Sequence, residues 1–299
     1  MATLAGLCLL TRVSTSIGLY AACGGVMLTP MIAAWRERRQ GASKVSAIRA
    51  AVVPSLILVA FAVACGFINY ERWGWPLTFA DFRYYNLMPP GDPTLTIVAT
   101  YGYFNLSRLW FGLSFYFVPI WTIIGSDGHL LFHAAQERLF HVVEPPPATF
   151  LASDPFLCFL TCLGFAWLWR ARGTATDRLT ARLVAIGLLI PCILILIAIA
   201  VVFRYRMEFY PFLEFLALFG LFQLRSKFVV HPRLLTWACG VMVAVGIVFS
   251  HLFLAAYKVE PGYNAVAVED IGWIAAYREY FRAAYPGIYR RIEGVGTPK

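Results

Sequence analysis

The stretch VVFRYRMEFYPFLEFLALFG, residues 201–220, joins two apolar runs through a short charged segment. The segment contains two arginines and a glutamate and is followed by a proline: Arg204, Arg206, Glu208 and Pro211. The flanking runs, at 183–203 and 209–224, each approach the roughly 20 apolar residues that a helix needs to cross a bilayer. Proline is well placed in the first turn of a helix. The stretch therefore predicts two membrane helices that meet at a charged turn.

The composition of the whole chain is that of a multi-pass membrane protein. Of the 299 residues, 60% are hydrophobic and 14% are charged, whereas a soluble domain is about half apolar and about a quarter charged. Further apolar runs predict spans at 17–35, 50–68, 153–169 and 234–257. We therefore expect an all-α fold, a polytopic transmembrane helical bundle over residues 1–257 with periplasmic interfacial helices. Residues 258–299 are expected to form a periplasmic tail.

The basic residues indicate the orientation of this bundle. Three loops contain five, four and three basic residues with one, one and no acids: RERRQGASKVSAIR (36–49), RARGTATDRLTAR (170–182) and RSKFVVHPR (225–233). They alternate with the predicted spans, so all three fall on one side, which the positive-inside rule makes the cytoplasm. The net charge of +9 is then explained by topology, and no nucleic-acid partner is expected. The charges therefore predict a membrane protein with these three loops in the cytoplasm.

A long segment, residues 69–152, is expected on the opposite, periplasmic side. Its apolar run WFGLSFYFVPIWTII, at 110–124, is short for a span and contains a proline, so an interfacial or re-entrant helix is favoured over a crossing one. Apolar residues at helical spacing predict an amphipathic surface helix over 129–143. Ser153 or Asp154 is expected to cap the span that follows.

The arginines of the opening stretch are the first candidates for a binding site. On this topology Arg204 and Arg206 lie at an outer helix end, and Arg12, within LTRVSTS (10–16), lies at the same level. One interpretation is anchoring, in which arginines extend into the headgroup layer and Ser14, Thr15 or Ser16 caps the next helix. The other is recognition of a lipid phosphate, because the planar guanidinium binds phosphate oxygens in pairs.

Two glutamates accompany these arginines. Glu208 lies two residues after Arg206 in the charged segment, and Glu214 lies inside the next apolar run. An ionisable residue inside a span is a functional candidate by default. The simpler interpretation of Glu214 is an internal ion pair with Arg204 or Arg206.

The periplasmic stretch NYERWGWPLTFADFRYYN, residues 69–86, is the second candidate region. Aromatic residues alternate there with four charged ones: Glu71, Arg72, Asp81 and Arg83. This mixture fits contact with a sugar or a prenyl phosphate, and it fits an interfacial aromatic belt with surface ion pairs equally well. Asp81 could serve as a general base only with suitable geometry.

Metal and cofactor signals are weak. His129 and His133 are four residues apart, but no third strong ligand has diagnostic spacing, so surface or packing roles are favoured. Cys158 and Cys162 would share a helix face and are expected to be buried thiols. No Walker loop, GxSxG motif or dinucleotide fingerprint is present, so no metal and no cofactor is expected.

Three of these stretches together resemble one family, the bacterial GT-C-type membrane glycosyltransferases related to glycosyltransferase family 39, the dolichyl-phosphate-mannose mannosyltransferases. GLCLLTRVSTSIGLY is similar to the family's GLAxLTR junction, NYERWGWPLTFADFRYY to its NYxRFGNPLxFG segment, and RYRMEFYPFLEFLALFGL to its RYxxDFxPxLxLLA junction. The matches cover most of residues 5–225. They imply an enzyme of a bacterial inner membrane that takes a sugar from a polyprenyl-phosphate donor at the periplasmic face, with Arg12 and Arg204 at the family's TR and RY positions. They place Glu208 where the family often has an acid, as the structural partner of an arginine.

The resemblance covers only the C-terminal half of that family. The family's catalytic acid lies in a first periplasmic loop, and the present sequence starts half a helix before the LTR junction. We therefore expect a fragment, a misassigned start or a degenerate paralogue, and the catalytic residue is unknown. The alternative function is a non-catalytic membrane subunit or scaffold whose outer loops bind a partner protein.

Overall fold

The computed structural model describes residues 1–36, 44–77, 93–119, 138–140, 142–143, 149–170, 175–228 and 232–259. These residues are mostly helical. The α-helices are α1 (Ala2–Thr11), α2 (Val13–Arg36), α3 (Lys44–Trp73), α4 (Pro93–Tyr101), α5 (Leu109–Phe117), α6 (Phe150–Ser153), α7 (Pro155–Arg170), α8 (Ala175–Leu196), α9 (Tyr210–Phe228) and α10 (Pro232–Val259). Two 3-10 helices span Leu106–Arg108 and Phe203–Glu208, and we call the second one the central turn.

Each of the six predicted spans corresponds to a helix of the structure. Four helices of the described residues are long and apolar enough to cross a membrane: Val13–Ile32, Ala51–Trp73, Asp177–Leu196 and Arg233–Leu252. The predicted spans at 153–169 and 209–224 correspond to α7 and α9. The all-α expectation is therefore confirmed, apart from one pair of two-residue strands.

These strands correct two sequence predictions. The run predicted as a span over 183–203 leaves the helical conformation at Leu196, and Ala200–Val201 forms strand β2. It pairs in parallel with β1 (Val142–Val143), where the amphipathic helix over 129–143 was predicted to end. β-Branched residues favour the extended conformation on both strands. Residues 129–137 and 141 of that predicted helix lie outside the described part of the chain.

Close backbone approaches at glycines hold the bundle together. A Cβ atom on Gly187 of α8 would lie 2.5 Å from the backbone nitrogen of Ala22 in α2. A Cβ on Gly164 of α7 would overlap the carbonyl oxygen of Leu216 in α9. The same pair of helices is joined by Thr161, whose hydroxyl donates to the carbonyl of Leu213 at 3.0 Å. Small residues allow the dispersion contacts and interhelical hydrogen bonds that stabilise apolar helix pairs.

These contacts fix the direction of the helices. Gly18 of α2 packs on Pro191 of α8, and Gly25 packs on Leu183, so the two helices are antiparallel. The end of α7 also lies beside the start of α8, because Arg182 donates to the carbonyl of Leu168 at 3.1 Å. The ends of α2 and α7 therefore face one side of the bundle. The opposite side, which we call the junction end, contains the central turn.

An aromatic cluster underlies the central turn. Phe150 and Phe209 are fully buried and lie 5.7 Å apart, and Tyr116 of α5 lies 5.0 Å from Phe209. The Tyr116 hydroxyl donates to the carbonyl of Val202 at 3.1 Å. Helix α5 has nine residues, which span roughly 13 Å. It is therefore too short by itself to cross a bilayer core of about 30 Å. Residues 120–124 of the run at 110–124 lie outside the described residues, so the interfacial or re-entrant helix stays a prediction.

The tight helix crossings generate a first prediction. Replacing Gly164 with alanine should lower the thermal unfolding temperature of the detergent-purified chain, because the new methyl group overlaps the α9 backbone and overpacking costs about 1–3 kcal/mol. Gly240→Ala is the matched control, because no atom lies within 4 Å of a Cβ at that position. Equal unfolding temperatures for the two variants would contradict the packing described above.

Candidate functional site

The central turn points its three charged side chains in three directions. A 3-10 helix has about three residues per turn, so residues spaced by two are about 120° apart around its axis. Arg204, Arg206 and Glu208 have this spacing within Phe203–Glu208. Arg206 and Glu208 are buried, whereas Arg204 is exposed. Each of the three side chains therefore has its own environment.

Glu208 is directed toward the junction between α1 and α2. Its side chain is 1% exposed and forms an ion pair with the Nε of Arg12. The hydroxyl of Ser14 donates to Glu208 Oε1 at 2.7 Å, and the hydroxyl of Thr15 donates to Oε2. The expectation that Glu208 pairs with an arginine is confirmed for Arg12. Ser14 and Thr15, which were predicted as possible helix caps, instead donate hydrogen bonds to this buried carboxylate.

Arg12 connects that ion pair to the surface of the junction end. It interrupts the helices α1 and α2 with an extended backbone conformation, φ −150° and ψ 91°. Its side chain remains 38% exposed. Its Nη2 also approaches the backbone carbonyl of Arg204 at 3.4 Å. The structure therefore brings Arg12 and Arg204 together, as predicted from topology.

Arg206 is directed toward the junction between α6 and α7. Its Nη2 lies 2.5 Å from Asp154 Oδ2 and 2.7 Å from the hydroxyl of Ser153. The guanidinium carbon also lies 4.4 Å from the centroid of the Phe150 ring and 5.3 Å from that of Phe203. Arg206 is thus enclosed by a carboxylate, a hydroxyl and two aromatic rings. Its charge is neutralised inside the protein.

Arg204 has no such carboxylate partner among the described residues. Its guanidinium lies 5.7 Å from the ring centroid of its neighbour Tyr205. The carboxylates of Glu208 and Asp154 are engaged by Arg12 and Arg206. Within the described ranges, the surface of the junction end therefore carries a guanidinium that no carboxylate compensates, next to the partly exposed Arg12.

Glu214 does not form the predicted pair with Arg204 or Arg206. It lies one turn into α9 and is exposed, whereas Arg206 pairs with Asp154. The physical reason is the direction of the central turn, which points Arg206 toward α6 and α7. Asp154 was expected only as a helix cap, and no local pattern indicates its ion pair, because Arg206 is 52 residues away along the chain.

Arg108 is a buried arginine that the sequence analysis missed. It has no exposed surface and donates to the backbone carbonyls of Leu139 at 2.9 Å, Tyr103 at 2.9 Å and Gly102 at 3.0 Å. Burial lowers the pKa of its guanidinium, but an arginine does not lose its charge in proteins. Carbonyl dipoles thus stabilise the buried charge. The available signal was an arginine directly before an apolar run, in NLSRLW.

The remaining candidates are placed as follows. Glu71 and Arg72 are exposed near the end of α3, and no hydrogen bond or ion pair within the described ranges joins them to the central turn. Asp81, Arg83, His129 and His133 lie outside the described residues. Cys158 is buried, as expected, but Cys162 is exposed. No group of three or more His, Cys, Asp or Glu residues in the described part of the chain could hold a metal ion.

Comparison of the chain with family models, with curated proteins and with solved structures finds no match.

The geometry at Glu208 predicts strong coupling with Arg12. In a double-mutant cycle of Arg12→Gln and Glu208→Gln, the unfolding free energies should differ from additivity by roughly 0.5–3 kcal/mol, because the residues are in contact. The control cycle pairs Arg204→Gln with Glu208→Gln and should be additive, since these side chains point in different directions. Additivity in both cycles would show that the ion pair contributes nothing to folding.

The burial of Arg108 predicts a structural requirement for its guanidinium. Arg108→Gln should lower the unfolding temperature more than Arg204→Gln, because it leaves buried carbonyls without donors at about 1–3 kcal/mol each. Arg108→Lys keeps the charge but loses the planar set of donors, so it should be intermediate. An unfolding temperature for Arg108→Gln equal to that of Arg204→Gln would rule out this role.

Proposed function

We propose that this chain is a multi-pass integral membrane protein of a bacterial inner membrane, with the junction end on the periplasmic side. The support is the presence of four helices long enough to cross and the direction of the helices around them. The basic segments at 36–49, 170–182 and 225–233 follow α2, α7 and α9. The positive-inside rule then assigns that side to the cytoplasm.

This orientation predicts the outcome of reporter fusions. Fusions after Arg36, Arg170 and Lys227 should give a cytoplasmic signal, that is, a fluorescent green fluorescent protein and an inactive alkaline phosphatase. Fusions after Gly74 and Asn105 should give the opposite signals, because they follow segments at the junction end. A cytoplasmic signal at Gly74 would reverse the proposed orientation.

The function best supported by the junction end is binding of a lipid-linked phosphate. The observation that carries the proposal is the contrast among three arginines: Arg12 and Arg206 are paired with carboxylates, whereas Arg204 is exposed and has no carboxylate partner in the part of the chain that the structure describes. A guanidinium at a periplasmic helix end lies at the depth of lipid phosphates, and its fork of donors suits phosphate oxygens. The half-exposed Arg12 can supply a second set of donors.

The lipid we propose is the polyprenyl-phosphate sugar donor of a glycosyltransferase. The proposal rests on the resemblance of three sequence stretches to the GT-C-type enzymes. Two of those stretches contain Arg12 and Arg204, the residues that the fold brings together. On this proposal the chain contributes the donor-phosphate site, and the central turn holds the phosphate next to the membrane surface. The ion pairs of Arg12 and Arg206 keep this turn in place.

Binding of a polyprenyl monophosphate tests the proposal. For the chain in nanodiscs, Arg204→Ala should weaken binding by about tenfold or more, since hydrogen bonds to a charged group contribute about 1.5–3 kcal/mol. Arg225→Ala is the matched control, because Arg225 is also exposed but lies near the other end of α9. It should bind as the wild type does.

Unchanged binding after Arg204→Ala would overturn the phosphate site and leave Arg204 as a membrane anchor. Equal losses for Arg204→Ala and Arg225→Ala would indicate general attraction of an anionic lipid to a basic protein, which also contradicts a defined site.

A further inference from the structure

Asp154 is the acidic partner of Arg206, but only one of its two carboxylate oxygens is used in this way. Oδ2 accepts from the Arg206 guanidinium at 2.5 Å, from the Ser153 hydroxyl at 2.7 Å and from the Tyr210 hydroxyl at 3.3 Å. No hydrogen bond from the residues that the structure describes reaches Oδ1. The side chain is 27% exposed. The carboxylate is therefore fixed by one oxygen and presents the other to the exterior of the junction end.

This arrangement differs from that of Glu208, the other acid at the central turn. Glu208 is 1% exposed and accepts hydrogen bonds on both oxygens. A carboxylate can accept about four hydrogen bonds, and three donors already crowd Oδ2 of Asp154. A ligand donor is therefore directed to Oδ1. The contact with Arg206 fixes the orientation of the Asp154 carboxylate, so Oδ1 is a preorganised acceptor.

The surroundings of Oδ1 indicate a hydroxyl-bearing ligand. Two partly exposed aromatic side chains approach the ion pair of Arg206 and Asp154: the centroid of the Phe203 ring lies 5.3 Å from the Arg206 guanidinium carbon, and the Tyr210 hydroxyl donates to Asp154 Oδ2. A carboxylate acceptor beside aromatic faces suits a sugar, whose hydroxyls donate and whose C–H faces are apolar. A small number of placed polar groups among aromatic side chains is also the usual composition of a ligand site.

The central turn connects this acceptor to the candidate phosphate site through Arg206. Arg204 and Arg206 are two residues apart on a 3-10 helix, so their backbones are separated by about 4 Å along its axis. Their side chains diverge, with Arg206 reaching Asp154 and Arg204 remaining outside.

We infer that Asp154 recognises the sugar of a lipid-linked sugar phosphate through hydrogen bonds from sugar hydroxyls to Oδ1. The inference rests on the proposed function, because it takes the phosphate of the same ligand to lie at Arg204 and Arg12. Asp154 is then a specificity-determining residue, which distinguishes the glycosylated lipid from the bare polyprenyl phosphate. Arg206 acts through Asp154, as a positioning residue.

The experiment compares two ligands, a polyprenyl monophosphate and the same lipid carrying a hexose on its phosphate, each titrated against the full chain in nanodiscs. The wild type should bind the hexose form about tenfold more tightly. Asp154→Asn should bring this ratio to about one, because it should weaken binding of the hexose form about tenfold more than binding of the bare phosphate. Asp177→Asn removes an exposed carboxylate in the first turn of α8, at the other end of the bundle, and should keep the wild-type ratio.

A second variant covers the case in which Asp154→Asn does not fold, since it weakens the ion pair of Arg206. Asp154→Glu keeps the charge but displaces the open oxygen by one methylene, so it too should reduce the ratio at least severalfold. A wild-type preference that survives in both variants would overturn the inference, as would equal losses for both lipids, which indicate a structural role. A separate result would show that the proposed phosphate site is wrong: the Arg204→Ala variant would then bind polyprenyl monophosphate as tightly as the wild type does.

Discussion

The ion pair between Glu208 and Arg12 is the interaction on which the junction end depends. A buried carboxylate is costly unless it is paired and hydrogen-bonded, and Glu208 receives one guanidinium and two hydroxyl donors, all from residues 12–15. Those residues form the junction between α1 and α2. Removing one partner would leave an uncompensated charge, which destabilises a fold more than replacing both partners by apolar residues does. The pair therefore fixes the position of the central turn against the first two helices.

The conformation of the central turn determines which charge remains at the surface. On an extended strand, residues 204, 206 and 208 would all point to one face. On the 3-10 helix they diverge, so Glu208 reaches Arg12, Arg206 reaches Asp154, and Arg204 is left exposed. The cost of burying Arg206 is offset by Asp154, Ser153 and two aromatic rings. The ion pairs of Arg12 and Arg206 thus fix the turn that carries Arg204, which is a suitable arrangement for an anion site.

Much of the fold could be predicted from the sequence, because apolar runs and loop charges are local signals. The six spans correspond to helices, and Arg12 and Arg204 are neighbours as the topology implied. The partners of the charged residues could not be predicted, since Asp154 and Arg206 are far apart in the chain and their contact depends on the direction of a 3-10 helix. Arg108 was missed because its partners are backbone carbonyls, which every residue has, so no pattern of residue types in the sequence indicates them. The end of α8 at Leu196 was misplaced because an apolar strand and an apolar helix look alike in a short run.

The most direct measurement of the central claim is photo-crosslinking of the chain in membranes with a polyprenyl phosphate whose first isoprene unit carries a diazirine, followed by peptide mapping. The phosphate site at Arg204 predicts that labelled peptides contain the central turn, residues 203–208, or the junction at Arg12, and that unlabelled polyprenyl phosphate competes with the labelling. Labelling confined to the basic segments at the other end of the bundle, with none at the central turn, would contradict it.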